Sequence, residues 1–242
     1  MNRIIMNRIF FKQIKNAKSW LLFGLFMAFS TIWLGCQSEH TDISRCYLPA
    51  DQKAHTYTYQ SLQKDGMPPY RLVVQKQGKL LTTQRFDAVS NRLEQTIVEE
   101  IVGNGTLCAK YELVSYDSTG KMYKVAATIN KGANTFFPFE VREGGGVFPF
   151  EITWVNPLDT LETNIITRNR HFEGFSTQVW QGKTVQCADF LVKTRLRSDH
   201  QRDGSIAPET VAVERYAQNI GLIYSSTTYG AQTVIYTLVD RQ

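Results

Sequence analysis

Residues 121–132 read KMYKVAATINKG. Tyr123, Val125, Ala127 and Ile129 fall on one phase of a two-residue repeat, and Lys124, Thr128 and Asn130 fall on the other. Side chains on a strand point alternately to its two faces, so this pattern predicts a half-buried β-strand. ADFLVKTRL at 188–196 repeats it, with Ala188, Phe190, Val192 and Leu196 in one phase. Between such runs stand turn signals: QGK at 77–79, GNG at 103–105, DSTGK at 117–121, EGGG at 143–146, QGK at 181–183 and YG at 229–230. Glycine supplies the positive φ that tight hairpins need. Strands joined by short turns are antiparallel neighbours. From about residue 55 the chain is therefore expected to be all-β: a single antiparallel meander of about ten to twelve strands, forming a curved sheet or partial barrel, with at most one short helix.

One segment carries two periods. In DAVSNRLEQTIVEEIVG, 87–103, Val89, Leu93, Ile97 and Ile101 recur every four residues, which is helical spacing. Leu93, Gln95, Ile97, Glu99 and Ile101 also alternate, and the β-branched run TIVEEIV followed by GNG favours a strand. A helix here would be the one that plugs the curved sheet. FPFEV at 137–141 and FPFEI at 148–152 are near copies flanking REGGG. They read as two strands meeting at a flexible turn, with their phenylalanines in the core. Pro138 and Pro149 cannot donate to a ladder, so an edge or a strand start is expected for them.

The first 35 residues have a different character. Arg3, Arg8, Lys12, Lys15 and Lys18 precede an apolar run from Trp20 to Gly35, without an acid among them. That is a charged region followed by a hydrophobic one, as in a secretory signal. The run of 16 residues falls short of the roughly 20 that a spanning helix needs. It ends in WLGC, 33–36, which resembles the lipobox of bacterial lipoproteins, although Trp33 stands where that family usually has an aliphatic residue. The resemblance implies cleavage between Gly35 and Cys36 and lipid attachment to Cys36. Gln37 then stands second in the mature chain, where this family tends to carry Asp for inner-membrane retention, so the resemblance implies the outer membrane. The expected organisation is a signal peptide over 1–35, a lipidated flexible tether over 36–50 and one β domain over 51–242.

Cleavage would also remove the basic pI. Residues 1–35 hold five of the 27 bases and none of the 22 acids, leaving 22 of each. A nucleic-acid partner, which needs a basic footprint, is not expected. The membrane, through the lipid, is.

Motifs for chemistry are sparse. His40, His55, His171 and His200 show no H-x-x-x-H or H-E-x-x-H spacing, and there is no C-x-x-C or G-x-S-x-G. DHQRDGSIAPET at 199–210 resembles a calcium loop, with Asp199, Gln201 and Asp203 at alternate places and Gly204 sixth. Its twelfth place, normally a bidentate acid, is Thr210. An Asp-Gly turn in a hairpin loop is the better reading. No catalytic residue, metal or cofactor is assigned. Cys108 and Cys187 lie in strand-like runs, where cysteine commonly acts as a small buried hydrophobe. Cys46 lies near the start of the domain, where a bridge to Cys108 would pin the tether. Free thiols are the alternative.

VERYAQNIGLIYSS, 213–226, together with the preceding GKTVQCADFLVKTRLR, resembles a pattern, YY-A-x-G-V-G-L-V, near the end of uncharacterised β-rich lipoproteins of Gram-negative bacteria. The chain departs from it at Asn219, where Gly or Lys is usual. The resemblance implies a curved antiparallel sheet wrapped into a partial barrel, and no assigned activity. Three functions follow as expectations: a non-catalytic module binding an apolar ligand, an assembly partner of an envelope protein, or a hydrolase with a spatially assembled site. A large apolar cavity open to solvent marks the first, an exposed apolar patch without a cavity the second, and converging titratable groups in a cleft the third.

Overall fold

The computed structural model describes residues 40–63 and 67–242. After β1 (Thr41–Asp42) and a four-residue helix α1 (Ser44–Tyr47), the chain forms β2 (Ala54–Ser61), β3 (Tyr70–Gln77), β4 (Leu80–Asp87), β5 (Leu93–Val102) and β6 (Gly105–Tyr116). Next come β7 (Met122–Ala126), β8 (Thr128–Pro138), β9 (Glu140–Val141), β10 (Val147–Asn156), β11 (Asp159–Trp180) and β12 (Lys183–His200). It ends with β13 (Gly204–Ile206), β14 (Glu209–Ala217), β15 (Gly221–Tyr229) and β16 (Gln232–Arg241).

The meander is present, and it closes. Strands β2, β3, β4, β5, β6, β8, β10, β11, β12, β14, β15 and β16 follow one another round the sheet, and β16 returns to pair with β2. The result is a closed 12-strand antiparallel barrel, more than the expected curved sheet or partial barrel. Closure rests on the ladder from Tyr236↔Ser61 to Arg241↔Tyr57, which joins the two ends of the domain. Closing a sheet satisfies the two rows of backbone groups that an open one would leave exposed. Short β7 and β13 pair on the flanks of β6 and β12, and β1 pairs with β9.

The local readings are met where period and turn chemistry agree. Along residues 123–130 partial burial and exposure alternate without a break. All six turn signals separate strands. Gln181 and Gly182 both take positive φ, 49° and 74°, as the tight β11–β12 hairpin requires. Residues 93–102 are strand, not helix, and Asp87 makes the turn before them by accepting from the N–H groups of Val89 and Ser90. The phenylalanines of the FPFE copies are core as expected: Phe137, Phe139 and Phe150 are buried. The copies do not pair with each other. The first ends β8 and passes into β9, while the second opens β10, which meets β8 at Phe150↔Asn134.

The expected tether through residue 50 is corrected. Ile43 is 2% exposed and Cys46 is also buried, so the domain begins at about His40. Ile43 N–H donates to Phe139 C=O at 2.8 Å, Asn219 N–H donates to Arg45 C=O at 2.7 Å, and the Tyr47 ring stacks on Phe137 at 4.0 Å. These contacts seat α1 at the end of the barrel that carries the β5–β6, β11–β12 and β14–β15 turns. The one short helix is therefore the plug, although it is not residues 87–103.

Gly221 opens β15 at φ +104°, a region that L side chains rarely adopt, and a Cβ there would stand 3.7 Å from Tyr57 Cε1. Gly221→Ala is expected to lower the unfolding free energy by roughly 2 kcal/mol, read from the urea midpoint at unchanged slope.

Candidate functional site

Eight strands already enclose about as much space as side chains can fill, so a 12-strand lumen must be plugged or partly empty. Here it is both. On the β5, β6, β8 and β10 side, Ile97, Cys108, Tyr111, Phe136, Phe150 and Ile152 pack into one cluster. A second cluster under α1 contains Phe137, Phe172, Phe190 and Tyr216. On the β2–β4 and β15–β16 side a cavity of about 720 Å³ remains. Its walls carry Tyr59, Tyr70, Leu72, Val74, Leu222, Val234 and Tyr236. Met67, Tyr229 and Gln232 are exposed at its mouth, which lies at the end opposite α1.

The walls are held by aromatic contacts. Tyr59 stacks on Tyr70 at 4.7 Å, Tyr70 meets Tyr236 edge-on at 4.9 Å, and the Arg85 guanidinium lies over Tyr70 at 4.1 Å. Tyr59 Oη donates to Leu222 C=O at 2.8 Å, so this tyrosine presents its ring and not its hydroxyl. Thr83, Gln95, Ser225 and Thr227 add polar points to the lining.

The floor is charged. Arg170, 3% exposed, donates from Nη2 to Glu214 Oε2 at 2.8 Å and to Tyr216 Oη at 3.3 Å, and from Nη1 to Phe136 C=O. Tyr216 Oη donates to Glu214 Oε2 at 2.8 Å. Burial pushes the Glu214 carboxyl up, but the charges of Arg170 and Arg168 and the two donors outweigh it and hold the carboxyl below its ordinary value. Glu99 is fully buried beside this group. Tyr47 Oη lies 2.8 and 3.1 Å from its two oxygens, and Thr106 Oγ1 donates to Oε2. Burial dominates here and pushes Glu99 up to about 7, against those two donors and the charges of Arg168 and Arg170. Arg168 lies over Phe136 at 4.4 Å and Phe150 at 4.9 Å.

None of these residues was singled out as a site from sequence, yet each left a signal. Glu99 stands between Ile97 and Ile101, Arg168 and Arg170 between Ile166 and Phe172, and Glu214 between Ala212 and Tyr216. Each charge occupies the inward phase of an alternating strand, where an apolar residue is the default.

The residues that the sequence did single out lie elsewhere. Gly35 and Cys36 fall outside the described residues. The Cys46–Cys108 bridge is not formed. Cys46, the buried residue of α1, packs with Phe137 and Ala188, Cys108 packs with Ile97 and Phe150, and both thiols are free. Burial pushes Cys46 and Cys187 up to about 11 and Cys108 up to about 12, which leaves all three as unreactive thiols. His55, His171 and His200 sit against different carboxylates: Asp51 at 2.6 Å, Glu173 at 3.0 Å, and Asp203 at 2.8 Å with Asp159 at 3.3 Å. Within the 199–210 segment, residues 199–206 form a tight hairpin from β12 into β13, in which Asp199 accepts from Arg197 and Ser205, and residues 209–210 begin β14.

No protein-family model matches the chain, and no curated protein matches it. Two solved structures are similar in shape. One is a candidate lipoprotein from Parabacteroides distasonis, 11% identical over 84% of this chain and 100% of that one, at a TM-score of 0.47. The other is a candidate exported protein with a YmcC-like fold from Bacteroides fragilis, 12% identical over 81% of this chain and 98% of that one, at a TM-score of 0.49. Likenesses this remote assign neither family nor activity.

Proposed function

We propose that this chain is a lipid-anchored envelope lipoprotein of the outer membrane, whose barrel holds an apolar or amphipathic ligand without transforming it. The observation that carries the reading is the cavity of about 720 Å³, plugged at one end and open at the other. Ligand pockets commonly fall between about 300 and 1,000 Å³, with mainly apolar and aromatic walls and a few polar groups. The floor's titratable groups engage one another: Arg170 with Glu214 and Tyr216, and Glu99 with Tyr47 and Thr106. Each titratable group there is engaged by a neighbour, although Arg170 Nε is buried without a hydrogen-bond partner, and among the described residues no nucleophile has a free base beside it, so a holding role suits the site better than a hydrolytic one. The anchor and the outer membrane rest on the lipobox resemblance at Cys36.

Two measurements test the two halves. Intact mass of the chain extracted from its own membranes should equal a protein beginning at Cys36 plus lipid. A chain retaining residues 1–35 would overturn the anchor. The neutral probe N-phenyl-1-naphthylamine should bind saturably at one per chain, and a Leu72→Trp/Val234→Trp double variant, which fills the cavity, should abolish its fluorescence gain with the β signal in circular dichroism intact. Undiminished probe binding in that variant would overturn the cavity as the ligand site.

A further inference from the structure

Three arginines line the cavity: Arg85, Arg168 and Arg170. Two have a carboxylate partner within the protein, although Arg170 Nε is also buried without a hydrogen-bond partner. Arg170 pairs with Glu214 at 2.8 Å, and Arg85 pairs with Glu94 at 2.9 Å near the surface. Arg168 lines the cavity and forms no ion pair among the described residues; its Nη2 is buried without a hydrogen-bond partner and turned away from the open space, so the rest of the guanidinium is what the cavity offers to an anion. Its plane is fixed by two rings, Phe136 and Phe150. Rings hold a guanidinium in place through its face and leave the N–H edge to a partner. A guanidinium cannot shed its proton, so an internal one without a counter-charge is expensive. The two carboxyls whose fields reach Arg168 are already engaged, Glu214 by Arg170 and Tyr216, and Glu99 by Tyr47 and Thr106.

We infer that the ligand is a single-chain amphiphile with an anionic head, its carboxylate or phosphate seated on Arg168 and its apolar chain lying along Leu72, Val74, Leu222 and Val234 toward the mouth. This rests on the ligand-holding reading above and adds the head group to it. A neutral head leaves the Arg168 N–H groups unanswered, and a cationic one is repelled. An anion supplies both the counter-charge and the acceptor, and charge-assisted hydrogen bonds of this kind are about twice as strong as neutral ones. Walls carrying Thr83, Gln95, Ser225 and Thr227 beside the apolar side chains suit an amphiphile better than a plain hydrocarbon.

The test is native mass spectrometry of the full chain, released from mild detergent into an equimolar mixture of dodecanoate, dodecyl phosphate, dodecanol and dodecyltrimethylammonium. The two anions are expected to hold roughly tenfold more of the bound population than dodecanol, and the cation none. The ratio between the anions separates a carboxylate from a phosphate ligand. In Arg168→Met the anion preference should fall to near parity with dodecanol still bound. Where that variant fails to fold, the wild-type ratio alone decides. Parity of dodecanol with the anions in the wild type, or a preference that survives in Arg168→Met, overturns the head-group assignment and leaves the ligand-holding reading standing. Retention of none of the four overturns both.

Discussion

Glu214→Met is expected to lower the unfolding free energy by about 3–5 kcal/mol at pH 5, where Glu99 is protonated and gives Arg170 no counter-charge, and by somewhat less at pH 8, where Glu99 ionises. Arg170 is 3% exposed, and its Nη2 reaches only Glu214 and Tyr216. Removing the carboxylate leaves a fixed positive charge in the barrel floor. A guanidinium cannot neutralise itself there. The reverse change behaves differently. Arg170→Met leaves Glu214 without its main partner, but a carboxyl can take up a proton and become neutral. Its cost should be largest at neutral pH and should shrink as the solution is acidified. The double variant Glu214→Met/Arg170→Met should lose much less stability than the sum of the two single losses, because it buries no orphan charge. Urea denaturation of all three variants at pH 5 and pH 8 checks the pattern. Equal pH dependence in the two single variants would show that the pair is not the isolated unit described here.

The barrel was legible in the chain wherever the period and the turns agree. KMYKVAATINKG alternates without exception and its burial follows that alternation, although the expected single strand breaks at Ala127 into β7 and β8. Closure was not legible. It depends on pairing Tyr57–Ser61 with Tyr236–Arg241 across nearly the whole domain, and no local pattern encodes which distant strand is a neighbour. Residues 87–103 show why a four-residue spacing misleads: four is also twice two, so Leu93, Ile97 and Ile101 share a strand face as readily as a helix face. The plug was hidden by composition. CQSEHTDIS is polar and reads as a tether, whereas the chain from His40 onward is held by backbone hydrogen bonds and by the single apolar anchors Ile43 and Tyr47.

The floor was legible in principle and was passed over. A histidine or cysteine search finds nothing in this protein, because the site is made of arginines, carboxyls and tyrosines spread over β5, β11, β14 and α1. What marks them is phase. In TIVEEIV, the alternation that identifies the strand also puts Glu99 indoors, and in IITRNRHF it puts both Arg168 and Arg170 there. A charge on the buried phase of a strand needs a partner or a function. Reading for that conflict finds the cavity floor, although not which side of the lumen stays empty. That is set by where the large rings Phe136, Phe137 and Phe150 fall once the barrel has closed.

The same floor should give the protein a pH dependence opposite to that of most carboxylates. The Glu99 carboxyl is raised from about 4.5 when unfolded to about 7 when folded, chiefly by burial. The folded state therefore binds a proton that the unfolded state has released. The stability associated with protonated Glu99 is complete below pH 4.5 and is lost as pH rises through 7, by roughly 3 kcal/mol once both states are ionised. Partly exposed Asp87, Asp117 and Asp199 are lowered by their hydrogen bonds and act in the other direction, losing stability only as acid approaches their own range. Glu99→Gln isolates the buried group from these. Glutamine keeps the size of the protonated acid, can accept from Tyr47 and Thr106, and never ionises. At pH 5 the variant should lie within about 1 kcal/mol of the wild type, and at pH 8 it should be the more stable of the two by roughly 2–3 kcal/mol. The gap between the two urea midpoints should therefore shift in favour of the variant as pH rises from about 4.5 to 8.5. A constant offset between the two curves would mean that Glu99 keeps one protonation state throughout, with the charges of Arg168 and Arg170 stronger than the burial that opposes them.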